Sequence, residues 1–335
     1  MRQRAEDIDS VLVHVGLDRL GDGLLKLPFV RGLRRAFPNA RLTWFAGKET
    51  TVYTGVLAPL VADHLDEIVE YGGVGIEPKE LFRRRPLPDR RFDLVIDTQR
   101  IVWTALSAWR IRHRTFVSPA ARFLFSSVKP PKGYRFPKAM QRQMLDLLEF
   151  ASGQAFETPA GLDLDLPDDV RRTAAALLPA GPRYVAFAPG SGGRPKCWPL
   201  ERFLTTAEAA AVDGAVPVFL IGPQEEEWIG LIRERLPDAL LPLQAQPYDP
   251  LLTIALGAHL AGAVSNDSGI AHMLGVGGAP LIALYGPTVY EKFPPMTDTI
   301  SVIKAEAFGS REMTAIPVDP VIAALRALPA SPAGA

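Results

Sequence analysis

The 335-residue chain has almost no cysteine, no long apolar run and no net charge. Because Cys197 is the only cysteine, no disulfide can form within the chain, and a cytoplasmic enzyme is expected. No uncharged apolar run reaches the roughly 18 residues of a membrane-spanning helix, and the polar start of the chain predicts no signal peptide. What remains is a globular protein, since 47% apolar residues are enough for a sizeable core.

The absence of net charge conceals an uneven distribution along the chain. Residues 1–160 carry 25 Lys and Arg against 18 Asp and Glu, whereas residues 161–335 carry 12 against 19. This asymmetry indicates that the two halves face different partners. A basic belt without any acidic residue lies between Thr98 and Leu145, comprising Arg100, Arg110, Arg112, Arg114, Arg122, Lys129, Lys132, Arg135, Lys138 and Arg142. An acidic ligand or an anionic membrane surface would be drawn to it, and nucleic acid is not expected, because no nucleic-acid-binding motif accompanies the belt.

Each half begins with the same series of predicted elements. They are a strand (11–16), a Gly-rich turn (17–23), a helix (24–38) and a strand (40–47) in the first half, and a strand (183–190), a loop (191–197), a helix (198–212) and a strand (216–223) in the second. Further apolar runs predict strands at 92–99, at 259–264 and within 277–288. Strand–helix–strand units imply parallel sheets covered by helices.

The predicted fold class is therefore α/β, with two Rossmann-like domains. We place the first at residues 1–165 and the second at 166–335, joined by a segment rich in Pro, Gly and Asp. The last apolar helix, at 318–329, can pack on either domain.

Two loops of the second half combine features of an anion site. In "APGSGGRPKCW" (188–198), glycines let backbone N–H groups approach an anion, and Lys196 adds a positive charge. In "SNDSGIAHMLG" (265–275), a helix beginning near Ser268 would offer free N–H groups, with His272 on the same side one turn later. The alternative is that Asp267 caps this helix and His272 packs in the core.

Acidic residues add further candidates. The stretch "GPQEEEW" (222–228) follows a strand directly, where a carboxylate suits ribose hydroxyls, although three adjacent Glu residues also form an ordinary solvated face. Asp163 and Asp165 have the Asp-x-Asp spacing of metal-dependent glycosyltransferases, but they alternate with apolar residues as a surface strand does. We expect no metal site.

Asp22 lies in the Gly-rich segment after the first strand and has two interpretations. It caps the helix that is predicted to begin near Leu24, or it serves as a general base at the end of the strand.

Five stretches carry a family resemblance that spans about residues 11–290. They are "GDGLLKLPFVRGLRRAFPNARLTWFAG", "FDLVIDTQR", "APGSGGRPKCWPLERF", "FLIGPQEEE" and "VSNDSGIAHMLGVGGAPLIALYGPT", in that order. Together they resemble glycosyltransferase family 9, the ADP-heptose:lipopolysaccharide heptosyltransferases. The resemblance implies a GT-B fold, with parallel sheets facing across a cleft, and an inverting transfer that uses no metal or cofactor.

The resemblance also implies a role for each matching residue. Asp22 would be the general base, and Glu225, or Glu226 if the alignment slips by one, would hold the ribose. Because Arg100 belongs to the basic belt and directly follows a predicted strand, we expect it, with Gln99, to contact an acidic glycolipid acceptor such as the lipopolysaccharide core. The diphosphate and sugar of the donor would be held by Ser191, Gly192, Lys196, Asp267, Ser268, Gly269 and His272.

Two other functions stay open. The same fold would serve a UDP- or GDP-sugar donor, because the loops that contact the base are not readable in the sequence. A non-catalytic nucleotide-sugar binder in an envelope complex is the second. An NAD(P) oxidoreductase is disfavoured, since neither Gly-rich loop has the G-x-G-x-x-G spacing. The expected location is the cytoplasm, with peripheral contact with the inner membrane as a further option.

Overall fold

The structure, a computed structural model, describes residues 7–328 of the chain. The chain divides into two compact units, residues 1–159 and 160–335. Within the described residues, no helix combines the length and the apolarity needed to cross a membrane.

Five parallel strands form the sheet of the first unit, in the order β3-β2-β1-β4-β5. The predicted strands β1, β2 and β4 are confirmed to within two residues at each end, because their buried positions make nearly continuous apolar runs. The strands are β1 (Ser10–Val15), β2 (Arg41–Ala46), β3 (Glu67–Val69), β4 (Arg91–Asp97) and β5 (Arg112–Val117).

Helix α1 (Leu20–Ala36) begins four residues earlier than the sequence predicts. The predicted Gly-rich turn over 17–23 is confirmed only for residues 17–19, because the first helical turn contains Asp22 and both neighbouring glycines. Packing explains the second glycine: a Cβ on Gly23 would lie 2.5 Å from Val52 Cγ2, and the Tyr53 hydroxyl donates a 2.7 Å hydrogen bond to the Gly23 carbonyl. Helices α2 (Val102–Trp109) and α3 (Met140–Ser152) complete the unit, and α3 packs on α1.

The second unit has its own sheet of five parallel strands, in the order β10-β9-β8-β6-β7. Apolar runs predicted β6, β7, β8 and β9, and all four strands are present. The strands are β6 (Tyr184–Ala188), β7 (Val216–Phe219), β8 (Gly262–Asn266), β9 (Leu281–Tyr285) and β10 (Ile300–Lys304).

Six helices of the described residues accompany this second sheet. They are α4 (Asp168–Leu177), α5 (Leu200–Val212), α6 (Ile229–Arg235), α7 (Pro250–Gly257), α8 (Gly269–Val276) and α9 (Val318–Arg326). Helix α9 packs on α5 and buries Val321 and Leu325 in the apolar core of the second unit. The surface strand expected around Asp163 and Asp165 is wrong, since that segment is irregular.

The predicted α/β class with two Rossmann-like parallel sheets is confirmed, and the strand orders indicate where a ligand site is expected. In each sheet the chain reverses the direction in which strands are added, between β1 and β4 and again between β6 and β8. Ligands of open α/β sheets bind beyond the carboxyl ends of the strands at such a point. Each unit therefore offers one candidate site, formed by the loops that follow these strands.

Candidate functional site

A buried asparagine joins the two loops at the reversal point of the second sheet. Asn266 ends β8 and is fully buried. Its Oδ1 accepts a 3.0 Å hydrogen bond from the Trp198 backbone N–H, and its Nδ2 donates a 2.7 Å hydrogen bond to the Pro189 carbonyl. One side chain thereby fixes both ends of the loop that runs from β6 to α5.

The loop held in this way carries predicted donor-site residues next to Asp267. The Lys196 Nζ lies 3.6 Å from the Asp267 Oδ2, and the Ser191 hydroxyl donates a 3.1 Å hydrogen bond to the Asp267 carbonyl. The Lys196 side chain is partly exposed, at 41%, so its ammonium can also reach a ligand. A Cβ added to Gly192 would meet no atom within 4 Å, so the loop leaves open space beside this residue.

The amino end of α8 begins just beyond Asp267. The N-cap residue is Ser268, so Asp267 is not the helix cap that the alternative interpretation requires. The Ser268 side chain makes no capping hydrogen bond. Gly269 is the first helical residue, and the first backbone N–H groups of a helix lack partners within it. Their dipoles favour an anion at this end.

Four buried polar atoms in α8 and at or just after the carboxyl end of β9 have no hydrogen-bond partner in the described part of the chain. They are Ser268 Oγ, His272 Nδ1, Tyr285 OH and Thr288 Oγ1, out of seven such atoms in residues 7–328. Leaving a buried polar group unpaired costs about 1–3 kcal/mol, and a concentration of such groups needs an explanation. A ligand rich in hydroxyl and phosphate oxygens would supply the missing partners.

Burial has a large effect on the imidazole of His272. It lowers the pKa of His272 to about 4, and the nearby Asp267 carboxylate only partly opposes this. The ring is therefore neutral near pH 7 and can donate or accept one hydrogen bond at each nitrogen according to its tautomer.

We expect the buried imidazole of His272 to lower the free energy of unfolding at low pH. In the unfolded chain His272 takes up a proton below about pH 6.5, but the folded chain resists doing so until about pH 4, so stability is lost as the pH falls through this window. Between pH 7.5 and pH 5, the free energy of unfolding should drop by about 1–2 kcal/mol more in wild type than in His272→Gln. Urea titrations at both pH values measure this. The control His259→Gln should follow wild type, and an identical loss in His272→Gln would contradict the assignment.

Glu225 lies against two glycines that follow the neighbouring strands β6 and β7. A Cβ on Gly190 would lie 2.6 Å from the Glu225 Cδ, and one on Gly222 would lie 2.9 Å from its Oε2. Burial raises the pKa of the Glu225 carboxyl, and the Arg194 guanidinium opposes the rise. Glu226 is exposed, so the geometry favours Glu225 of the two predicted ribose contacts.

In the first unit, Asp22 lies in the first turn of α1, beyond the end of β1. Its carboxylate accepts a hydrogen bond from the backbone of Arg19, the residue that precedes the helix. Burial raises the pKa of Asp22, and the charge of Lys26 one turn later acts in the opposite direction. A half-buried carboxylate with a raised pKa is a stronger base than an exposed aspartate, as a general base requires.

Gln99 follows β4 and lies against the β1–α1 loop. A Cβ on Gly16 would be 2.9 Å from the Gln99 Oε1. The Gln99 backbone N–H donates to the Asp97 carboxylate, which also contacts His14 Nδ1 at 2.7 Å and accepts from the Ser118 hydroxyl at 2.7 Å. The predicted acceptor residue Gln99 and the predicted base Asp22 thus both lie beyond the carboxyl ends of the strands of the first sheet.

Arg100 extends from the same strand end into solvent. Its guanidinium lies over the ring of Phe136 at 4.6 Å from the centroid. Such a stacked, exposed guanidinium keeps its charge available to an acidic ligand.

The basic belt is not one surface. Arg110 donates to backbone carbonyls of residues 80 and 83, Lys129 to those of 123 and 124, and Arg142 pairs with Asp146 and Glu149. Arg112 begins β5 and so lies at the amino edge of the sheet, opposite Asp22. Arg100 is exposed just after the carboxyl end of β4, and the segment that follows β5 carries the exposed residues Arg122, Lys132, Arg135 and Lys138.

The sequence reasoning missed three residues that belong to the second site. Asn266, Tyr285 and Thr288 were not among its candidates. The available signal was position: each lies at or just after the carboxyl end of a buried strand, where polar residues serve ligands more often than the core. Within residues 7–328, no group of three or more His, Cys, Asp or Glu side chains could hold a metal ion.

Comparison with known proteins gives consistent findings. The model of glycosyltransferase family 9 (heptosyltransferase) matches residues 82–315. A curated relative, lipooligosaccharide heptosyltransferase 2 of Haemophilus influenzae, is 34% identical over 134 residues, and the match spans only 38% of this chain and 38% of the relative's own length.

Solved structures show the same fold. A glycosyltransferase family 9 protein from Veillonella parvula has a TM-score of 0.73 at 21% identity, with 98% of both chains covered. The Escherichia coli ADP-heptose lipopolysaccharide heptosyltransferase II gives 0.66 at 19% identity over 95% of this chain and 98% of that one. An E. coli heptosyltransferase solved with ADP gives 0.65 at 17% identity over 95% and 99%. The predicted GT-B fold class is confirmed.

Proposed function

Because the chain belongs to glycosyltransferase family 9, the heptosyltransferase family, we propose that it transfers heptose from ADP-heptose to a lipopolysaccharide-core or related surface-glycan acceptor. The resemblance indicated by the sequence motifs is thereby confirmed at the level of the family. The solved relatives are named for ADP-heptose and for bound ADP, and this supports the same donor here. We further propose that the transfer inverts the anomeric carbon and needs no metal ion.

The observation that carries this proposal is the set of buried, unpartnered polar atoms in α8 and at or just after the carboxyl end of β9. In the proposed complex, the diphosphate lies between this helix end and Lys196, which neutralise its charge without a cation. The heptose hydroxyls pair with His272, Tyr285 and Asp267, and Glu225 accepts hydrogen bonds from the ribose. Ser191, Gly192, Ser268 and Gly269 supply the remaining donors to phosphate oxygens.

The proposed transfer proceeds by a single displacement. An acceptor hydroxyl attacks the anomeric carbon from the face opposite the diphosphate, and a new carbon–oxygen bond forms. The bond from the anomeric carbon to the phosphate oxygen breaks, and its electron pair leaves with ADP. Asp22 accepts the proton of the acceptor hydroxyl, which is the role for which its position and raised pKa suit it.

The proposed acceptor site is the carboxyl edge of the first sheet. Gln99 and Arg100 are the expected contacts, and the exposed basic residues of that edge would attract an acidic glycolipid. An anionic inner membrane, the surface in which such an acceptor is embedded, would be attracted by the same charges. We propose that the enzyme acts in the cytoplasm, in peripheral contact with that membrane.

Calorimetric titration of ADP, UDP and GDP tests the donor proposal, without metal and then with Mg²⁺. We expect ADP to bind without metal, and Lys196→Ala to weaken it by about tenfold to a hundredfold, because a charged contact to phosphate is lost. The control Arg172→Ala removes an exposed positive charge from α4 and should bind ADP as wild type does.

Three other outcomes of this titration would each favour a different function. A preference for UDP or GDP would retain the fold and overturn the donor. Binding that requires Mg²⁺ would overturn metal independence. No binding of any nucleotide would favour a non-catalytic partner in an envelope complex.

A further inference from the structure

A buried ion pair joins residues on either side of Asp22, which lies in the first turn of α1. Asp18 and Lys26 are 5% and 6% exposed, and the Lys26 Nζ contacts the Asp18 Oδ1. The other Asp18 oxygen accepts hydrogen bonds of 2.9 Å from Trp44 Nε1 and from the Thr51 hydroxyl. The carboxylate is therefore fixed by groups from β2 and from the segment that follows it.

Stability alone is a weak reason for this arrangement. Removing two charges from water costs several kcal/mol per ion, and apolar residues of similar volume often serve a core as well or better. The pair thus calls for a role that depends on its charge and position.

The position of the pair relative to Asp22 suggests that role. Lys26 follows Asp22 by four residues on α1, a spacing that brings side chains together on one helical face. Asp18 precedes Asp22 by the same number, just outside the helix. The negative charge of Asp18 opposes the ionisation of Asp22, and the positive charge of Lys26 favours it more strongly.

We propose that Asp18 and Lys26 form a positioning pair, in which Asp18 fixes the Lys26 ammonium beside Asp22 and thereby keeps the Asp22 carboxylate ionised and ready to accept a proton. The inference extends the proposed function, since it assigns Asp22 as the base. Neither residue touches the acceptor; both act through Asp22.

The charges around Asp22 are consistent with this direction. Burial raises the pKa of Asp22, Lys26 exerts the largest charge effect and lowers it, and Asp18 and Arg19 have smaller effects of opposite sign. Tyr53, which packs against the same turn, donates to the Gly23 carbonyl and stays neutral, because burial raises its pKa well above the usual value. Without Lys26, burial and Asp18 would act on Asp22 with only Arg19 to oppose them.

A direct titration of Asp22 tests the pair independently of transfer activity. The full chain is labelled with ¹³C at aspartate carboxyl carbons, and the Asp22 signal is assigned by its loss in Asp22→Asn. In Lys26→Gln we expect the titration midpoint to rise by about half a pH unit or more, which is about a threefold change in the ionised-to-protonated ratio. In Asp18→Asn/Lys26→Gln the rise should be smaller, because the opposing carboxylate is also removed.

The double variant also guards against misfolding, since breaking a buried pair by one substitution can be strongly destabilising. Lys26→Arg should restore the wild-type midpoint. Arg142→Gln breaks ion pairs on α3 and should lower the melting temperature without moving the Asp22 signal. An unmoved midpoint in both Lys26→Gln and the double variant would overturn the proposal.

The kcat/KM profile against pH supplies a second readout. Its acid limb should shift in the same order as the NMR midpoints, with Lys26→Gln highest. If wild type transfers no heptose, the proposed function fails while the NMR titration still decides the role of the pair. If transfer occurs and neither the limb nor the midpoint moves, only the pair's role fails.

Discussion

Asp22→Asn should bind ADP with wild-type affinity and lose about 10²–10⁴-fold in the rate of heptose transfer. Asparagine has nearly the same shape and can still accept the hydrogen bond from the Arg19 backbone, so α1 should keep its first turn. It cannot accept a proton from the acceptor hydroxyl. Steady-state kinetics with ADP-heptose and an isolated core acceptor, paired with ADP calorimetry, measure both parts.

A pH profile distinguishes loss of a base from loss of structure. In wild type, kcat/KM should rise with pH as Asp22 ionises, and its acid limb should lie above the range of an ordinary aspartate, because burial raises the Asp22 pKa. Asp22→Asn should lack this limb in its residual activity.

Asp93→Asn is a matched control in the same sheet, near the amino end of β4 and so at the opposite end of the strands from Asp22. The Asp93 carboxylate accepts hydrogen bonds from the Ser10 backbone and hydroxyl, so its loss should lower stability and leave the rate intact. Near-normal turnover in Asp22→Asn would contradict the role of Asp22 as general base. Its remaining role would be the hydrogen bond that it accepts from the Arg19 backbone at the start of α1.

How far the sequence predicts this fold depends on which strands are central. The central strands β1, β6 and β8 are covered on both faces, and so their sequences are apolar runs that pattern reasoning finds. The edge strand β5 begins Arg-His-Arg and is half exposed, and β3 has only three residues, so neither carries a recognisable pattern. The position of β3 and β5 at or near the edge of their sheet leaves them little apolar pattern, whereas the edge strand β7 is mostly buried and is predicted from its apolar run.

The side chains of the candidate site can likewise be predicted from the sequence only where a local pattern marks them. The polar stretch from Asp267 to His272 stands out in the sequence, because it interrupts apolar runs at a strand end. The partners of Asn266 lie 68 and 77 residues away, and no local pattern predicts such pairs. The Asp18–Lys26 pair was hidden for a different reason: its geometry depends on a helix that begins at Leu20, and the glycines around Asp22 indicated a turn.

Asn266→Leu should cause the largest loss of stability among single changes at the second site. Leucine fills a similar volume but leaves the Trp198 N–H and the Pro189 carbonyl buried and unpaired, at about 1–3 kcal/mol each. We therefore expect the free energy of unfolding to fall by about 2–5 kcal/mol. Urea titration measures this directly.

The same substitution should weaken ADP binding, although Asn266 is not a proposed ligand contact. The loop from β6 to α5 carries Ser191 and Lys196, and its two ends would no longer be fixed to β8. Binding must then also order the loop, at a cost that lowers affinity. Thr206→Val is the control, because it removes one buried hydrogen bond within α5, to the Arg202 carbonyl, and should reduce stability without changing ADP affinity. Wild-type ADP affinity in Asn266→Leu, together with reduced stability, would show that the loop reaches its binding conformation without this asparagine, and the donor site would then depend on Lys196 and the amino end of α8 alone.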